Sequence, residues 1–92
     1  MPSYLIESYL PRSRSGELRA VVDRLRRATE SLTAEGSRVR HLRSTFLPND
    51  ELCLHLVEAE SAATVSEASR RAAIEPARVV RAESVAAPGG AP

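Results

Sequence analysis

The fold is decided by one stretch in the middle of the chain, Arg40-His41-Leu42-Arg43-Ser44-Thr45-Phe46-Leu47-Pro48-Asn49-Asp50-Glu51-Leu52-Cys53-Leu54-His55-Leu56-Val57-Glu58-Ala59. Its second half alternates leucines with Cys53, His55 and Val57, the period of two expected of a strand with two different faces. The Pro-Asn-Asp sequence at 48–50 predicts a turn, because proline fixes φ and Asn and Asp tolerate the backbone conformations of a reversal. The stretch therefore predicts a hairpin of two antiparallel strands.

The register of this hairpin can be predicted from its faces, because residues directly opposite each other across an antiparallel pair lie on the same side of the sheet. A three-residue loop at 48–50 pairs Arg40 with Glu58 and brings apolar residues together on one face. The expected apolar-face pairs are Phe46 with Leu52, Ser44 with Leu54, and Leu42 with Leu56. We therefore expect the leucine face to be the core. The opposite face then has His41, Arg43, Thr45, Cys53, His55 and Val57.

Length and composition predict one small globular domain. The 92 residues, 42% hydrophobic and 27% charged, allow a single modest core. No apolar run approaches the roughly 18 residues of a membrane helix and no secretory signal is visible, so we expect a cytoplasmic protein without a membrane partner. The net charge of +1 argues against a nucleic-acid partner. One cysteine and two histidines are too few for a closed zinc site of the Cys/His type.

The segments on either side of the hairpin predict two further strands and two helices. A strand at 3–10 has Glu7 and Tyr9 on the face that we place away from the helices. A helix at 17–35 follows from apolar residues at helical spacing and is expected to end at Gly36. A second helix, marked by a capping box at 64–67, runs to about Ala73, with Ser61 as an alternative start. The last strand is expected at 79–85.

This order, βαββαβ, predicts a ferredoxin-like α+β sandwich, in which two helices cover one face of a four-stranded antiparallel sheet. A single domain is expected over residues 1–86, followed at 87–92 by a Pro/Gly/Ala tail that has no reason to be ordered. The uncovered sheet face has more apolar surface than a small monomer usually exposes. We therefore expect a homodimer that packs sheet against sheet.

Four segments match a known family, and they are Met1-Pro2-Ser3-Tyr4-Leu5, His41-Leu42-Arg43-Ser44, His55-Leu56-Val57-Glu58-Ala59 and Ile74-Glu75-Pro76-Ala77-Arg78-Val79. They resemble a small bacterial family of ferredoxin-like fold that includes nickel-binding proteins. The resemblance implies the same fold and a dimer. The metal-binding branch favours Asp-x-His in the first strand, where this chain has Ile6-Glu7-Ser8. It also favours two histidines on the second helix, where this chain has Ser69 and Ala73, and it often has a cysteine where this chain has His55. Because these ligands are not matched, neither nickel binding nor any other cofactor is expected.

The predicted site lies on the sheet face with both histidines. The Cβ atoms of His41 and His55 are expected about 5–7 Å apart, a distance that a metal ion can bridge. Arg43, opposite His55, disfavours a bound cation, so we expect no metal. A small ligand bound at the open sheet face is the function that we expect, and no catalytic residue is assigned. The candidate pocket residues are Glu7, Tyr9, His41, Arg43, Cys53 and His55.

Three alternatives stay open at this point. The same pocket could serve a cofactor-free oxygenase, cyclase or isomerase, in which a base, a hydroxyl donor and a cation would come from Glu7, Tyr9, His41, Arg43 and His55. A nickel or other transition-metal site would use His41, His55 and Cys53. In a third interpretation, the dimer interface occupies the whole sheet face. RNA binding is disfavoured, because the predicted third strand offers Cys53, His55 and Val57 where RNA-binding domains of this topology use aromatic residues.

Overall fold

A computed structural model describes residues 1–74 and 76–89. The elements follow the predicted order βαββαβ, and the four strands form one antiparallel sheet in the order β2-β3-β1-β4, so the ferredoxin-like α+β fold is confirmed. A short 3-10 segment, Arg12–Glu17, leads into the first helix. The elements are β1 (Ser3–Tyr9), α1 (Leu18–Ala34), β2 (Val39–Leu47), β3 (Leu52–Ala59), α2 (Ala62–Arg71) and β4 (Pro76–Ala82).

Both helices end or begin at identifiable caps. Gly36, with φ at 102°, follows α1, and its N–H donates to the Thr33 carbonyl while the Ser37 N–H donates to the Leu32 carbonyl. This is a Schellman motif, so the predicted stop at Gly36 is confirmed. The capping box at 64–67 was the wrong start for α2. Ser61 is the N-cap, and its Oγ accepts a hydrogen bond from the Thr64 N–H at 3.3 Å, as the alternative start predicted.

The β2–β3 hairpin has a longer turn and a different register from the predicted ones. Its loop includes Glu51, whose φ is 51°, in addition to positions 48–50. The Arg40–Glu58 pair occurs as expected, with a 3.3 Å ion pair. A bulge at Leu42 then shifts the register by one residue. The three predicted apolar pairs are therefore wrong, and the observed pairs are Arg43 with Leu56, Ser44 with His55, and Phe46 with Cys53.

The faces of β3 are the reverse of the prediction. Cys53, His55 and Val57 are buried, each 1% exposed or less, on the face that the helices cover. The leucines of β3 are half-buried on the open face, opposite Leu5, Glu7 and Tyr9 of β1. The β1 faces were predicted correctly, because Tyr4, Ile6 and Ser8 are buried. The core consists of Tyr4, Ile6, Leu25, Ala28, Leu32, Val39, Val57, Ala59, Val65, Ala68, Ala72 and Ile74.

The last strand begins earlier than predicted. β4 pairs with β1 over Pro76–Ala82, not over 79–85, and the pairing register shifts between Glu7 and Ser8. In the predicted tail, residues 87–89 form no helix or strand, and positions 90–92 lie outside the described residues. The helices of the described chain are too short or too polar to cross a membrane.

Candidate functional site

The six predicted pocket residues lie on two different sides of the sheet. Glu7 is on the open face, where it forms a 3.2 Å ion pair with Arg78. Tyr9 is 66% exposed at the end of β1, and its hydroxyl donates to Glu51 at 3.3 Å. Arg43 pairs with Leu56 on the open side of the edge strand. The other three residues are on the helix-covered side, so the placement of all six around one pocket was wrong. These three are His41, Cys53 and His55.

The two histidines are close together, and Ser44 lies between them. The ring centroids of His41 and His55 are 6.2 Å apart, with an edge-to-face arrangement. Ser44 Oγ is 2.9 Å from His41 Nε2 and 2.6 Å from His55 Nδ1. The bulge at Leu42 produces this cluster, because it places His41 and Ser44, three positions apart, on the same side of β2. The proximity of the histidines was predicted, whereas Ser44 was expected in the core opposite Leu54.

His55 is a neutral imidazole within the core. It is fully buried, and no hydrogen-bond partner lies near its Nε2 atom among the described residues. Burial, and secondly the neighbouring His41, lowers the pKa of His55 to about 4. Burial also lowers the pKa of His41, against a smaller opposing effect from a hydrogen bond with the Arg43 backbone. Both rings are therefore mainly uncharged at neutral pH.

The hydrogen-bond directions follow from the unpartnered Nε2 of His55. If that nitrogen had the proton, its N–H would be buried without an acceptor, which costs about 1–3 kcal/mol. We therefore assign the proton of His55 to Nδ1, which donates to Ser44 Oγ. The Ser44 hydroxyl then donates to His41 Nε2, and His41 has its proton on Nδ1, where it can donate to the Arg43 backbone. Each proton of the cluster has an acceptor in this arrangement.

The cluster opens into a groove between α1 and the edge strand β2. The groove has two halves, of 670 and 640 Å³, which share Arg26 and His41 as lining residues. Ser44 lines the second half, and we call the whole depression the α1–β2 groove. Among the described residues that line it, Glu30 alone is acidic. Its basic lining residues, besides the histidine, are Arg19, Arg26, Arg38, Arg40 and Arg43.

Cys53 lies apart from the groove. It is at the base of a separate 270 Å³ pocket that Tyr9, Arg24 and Ile74 also line. The thiol is 1% exposed, and burial raises its pKa, so it remains protonated at neutral pH. Across residues 1–74 and 76–89, no three side chains of His, Cys, Asp or Glu are grouped so that they could hold a metal ion.

Comparison with solved structures identifies the same fold in another protein. The chain is similar to SCO4226 from Streptomyces coelicolor A3(2). The two structures superpose with a TM-score of 0.70 over 91% of this chain and 99% of the other, at 15% sequence identity. At that identity the likeness shows the fold alone. No protein-family profile matches the sequence. A search of curated proteins also returns no match.

The sequence gives a partial signal for the groove residues that it did not predict. Ser44 lies among strand residues of β2 and near His41 in sequence, but its partnership with both histidines depends on the bulge. Arg19 and Arg26 recur on the polar side of α1, a pattern that by itself indicates a solvated helix surface. Only the packing of α1 against β2 shows that this surface borders a groove.

Proposed function

We propose that the protein binds a small anionic molecule, with a carboxylate or phosphate group, in the α1–β2 groove. The observation that supports this most is the charge of the groove, where several arginines and one carboxylate surround His41 and Ser44. Sequence reasoning had placed a ligand at the open sheet face because both histidines were expected there. Because the histidines lie on the helix-covered side of the sheet, the ligand site that we propose is on that side.

The arginines of the groove differ in how far they are already neutralised. Arg26 lies 3.5 Å from Glu30 and 4.0 Å from Asp23, and Arg40 is paired with Glu58. Arg19, Arg38 and Arg43 make no ion pair within 4.0 Å to any described residue. A single exposed guanidinium contributes little, but several around one concave surface produce a positive potential that attracts anions. Guanidinium groups also bind carboxylate and phosphate oxygens in a bidentate geometry.

The binding proposal predicts that citrate and inorganic phosphate bind in the groove and that Arg26→Gln weakens the binding. Arg26 borders both halves of the groove, and loss of one charge-assisted hydrogen bond of about 1.5 kcal/mol or more lowers affinity by about tenfold or more. Arg27→Gln is the matched control, because Arg27 is the next exposed residue of α1 and does not line the groove.

The measurement is a titration followed by amide and imidazole chemical shifts in NMR. Supporting results are shifts at His41 and Ser44, affinity that falls with added sodium chloride, and an unchanged affinity in Arg27→Gln. Shifts that map to the leucines of β3, or equal affinities for the wild type and Arg26→Gln, would contradict the proposal.

We also propose that the open sheet face is the interface of a homodimer. We define this face by its apolar residues Leu5, Leu47, Leu52, Leu54, Leu56 and Val80. Two ion pairs, Arg40–Glu58 and Glu7–Arg78, each join a central strand to an edge strand and neutralise their own charges within one subunit. A two-fold axis makes the same residues of two copies meet, so this apolar face can pack on a second copy of itself, with the exposed Arg43 of β2 at its edge. Burial of the leucines would supply the stabilising free energy.

The dimer proposal predicts that Leu54→Asp converts the protein into a folded monomer. Leu54 lies in the middle of the face, between Glu7 of β1 and Thr45 of β2. A carboxylate there would be desolvated in the interface without a partner. The mass is measured by sedimentation velocity at several concentrations. Leu42→Asp is the control, because the bulged Leu42 is 38% exposed and outside the open sheet face. A monomeric wild type, or a dimer that survives Leu54→Asp, would overturn the dimer.

A further inference from the structure

Ser44 has the surroundings of an activated hydroxyl. Its Oγ is within hydrogen-bond distance of two imidazole nitrogens, and it lines the second half of the α1–β2 groove. A serine on a strand does not require two imidazole partners. A histidine is also fully buried less often than an aliphatic residue, yet His55 is fully buried in this small core. Packing alone does not account for a neutral imidazole whose second nitrogen has no partner.

The assigned proton positions suit nucleophilic attack. The Ser44 O–H donates to His41 Nε2, the unprotonated nitrogen that would receive the proton. The Nδ1–H of His55 points at the same oxygen and would stabilise negative charge that develops there. The remaining nitrogen of His41 is available to the Arg43 backbone, which would fix the ring as the third group of a catalytic triad does.

We propose that Ser44 is the nucleophile of an acyl-transfer reaction, that His41 is its general base, and that His55 is a positioning residue. The substrate would be an ester of a small acid with a second, anionic group. The choice of an anionic substrate rests on the proposed binding function of the groove, whereas the reactivity of Ser44 does not.

The reaction balances without a cofactor or an oxidant. Ser44 Oγ forms a bond to the acyl carbon while its proton passes to His41 Nε2, and the ester C–O bond breaks as the leaving alcohol takes that proton. Water then attacks the acyl-serine, again with His41 as the base, which releases the acid and restores the hydroxyl. The arginines that border the groove supply positive charge near the tetrahedral oxyanion.

The first test is covalent labelling with diisopropyl fluorophosphate. In this reaction a Ser44 O–P bond forms, the P–F bond breaks, and the proton leaves through His41 with fluoride. We expect one adduct per chain by intact mass, located on Ser44 by peptide mapping. Ser44→Ala should abolish labelling. Thr45→Ala should leave it unchanged, because Thr45 is the next residue of β2 and its side chain is on the opposite side of the sheet.

His41→Gln separates a base from a merely structural residue. The glutamine oxygen can still accept the Ser44 hydrogen bond, but it cannot take the proton, so the labelling rate should fall by about a hundredfold or more. In the wild type the rate should reach a plateau above the pKa of His41, whereas in the variant it should keep rising with hydroxide concentration. The charged and titratable groups that line the groove with His41 or lie beside its ring are Arg19, Arg26 and Glu30 on α1, Arg38, Arg40 and Arg43 on or before β2, and His55 on β3.

The substrate class is tested with two esters of similar length, mono(4-nitrophenyl) glutarate and the uncharged 4-nitrophenyl butyrate. We expect kcat/KM to be about tenfold higher for the charged ester, and the preference to disappear in Arg26→Gln but not in Arg27→Gln. Equal rates for the two esters would overturn the anionic substrate.

The two proposals can fail separately. Because diisopropyl fluorophosphate is uncharged, it can react with Ser44 even if the groove binds no anion. Citrate binding without labelling of Ser44, labelling at another residue, or a His41→Gln rate equal to that of the wild type would overturn the nucleophile. Labelling of Ser44 without any binding of citrate or phosphate would support the nucleophile and overturn the proposed anion site.

Discussion

Val57→Asp is expected to unfold the protein. Val57 is fully buried on the helix-covered face of β3, between Tyr4 of β1 and His41 of β2. Neither neighbour offers a positive charge at neutral pH, so a carboxylate there would be buried without a partner, at a cost of several kcal/mol. A small domain is stable by only about 5–15 kcal/mol in total. We expect the variant to lose its cooperative urea transition, measured by circular dichroism.

Leu56→Asp is the matched control, because it places the same carboxylate one residue away on the other face of the sheet. Leu56 is half-buried on the open sheet face, where a carboxylate of the free subunit remains in contact with water. We expect this variant to keep its helix and strand signals and a cooperative urea transition. If Leu56→Asp unfolded the protein and Val57→Asp did not, the leucine face would be the core, as the sequence alone suggested.

The element order could be predicted because each element has a local signal. Apolar residues at helical spacing identified α1, and Gly36 identified its end by a left-handed conformation that glycine adopts without strain. The alternation at 52–57 identified β3. Such signals depend on neighbours in sequence, so they do not change with the way the rest of the chain packs.

The faces of the hairpin could not be predicted, because both faces of β3 are apolar enough to be a core. Leucines occupy one set of alternate positions, and Cys53 and Val57 occupy the other. The choice between them rested on the register, which depends on the bulge at Leu42 and on the positive φ of Glu51. Leucine and glutamate are ordinary residues that do not mark a bulge or a left-handed turn residue, so the sequence contained no sign of either.

The candidate site, like the fold, could be predicted only in part. His41 and His55 were expected to be neighbours because they lie on adjacent strands, and a change of register by one residue does not separate them. Ser44 was missed because its side changes with the bulge. Glu7 and Tyr9 were assigned to the histidine pocket only through the reversed face of β3. The groove itself depends on where α1 lies against β2, which no local pattern specifies.

Acidification from pH 7 to about pH 4 is expected to lower the free energy of unfolding by about 3 kcal/mol through His55. The pKa of His55 is about 4 in the folded chain, below the ordinary value of 6.5 in the unfolded chain. The unfolded state therefore binds the proton first. The contribution is fully present above pH 6.5 and is lost as the pH falls toward 4. The measurement is urea unfolding at half-unit intervals of pH. The acidic side chains with lowered pKa values, Glu17, Glu35 and Glu67, affect stability mainly below their ordinary value of 4.5.

The dependence on pH can be assigned to His55 with two variants. His55→Gln has no charge to gain, and its amide can still donate to Ser44, so its stability should be nearly constant between pH 6.5 and 4.5 even if it is lower throughout. His41→Gln should keep most of the wild-type slope, because His41 is partly exposed and its titration is coupled less strongly to folding. A slope in His55→Gln equal to that of the wild type would show that other groups cause the loss. In that case the pKa of His55 would be close to its ordinary value of 6.5 in the folded chain, and burial would not hold the imidazole neutral below pH 6.5.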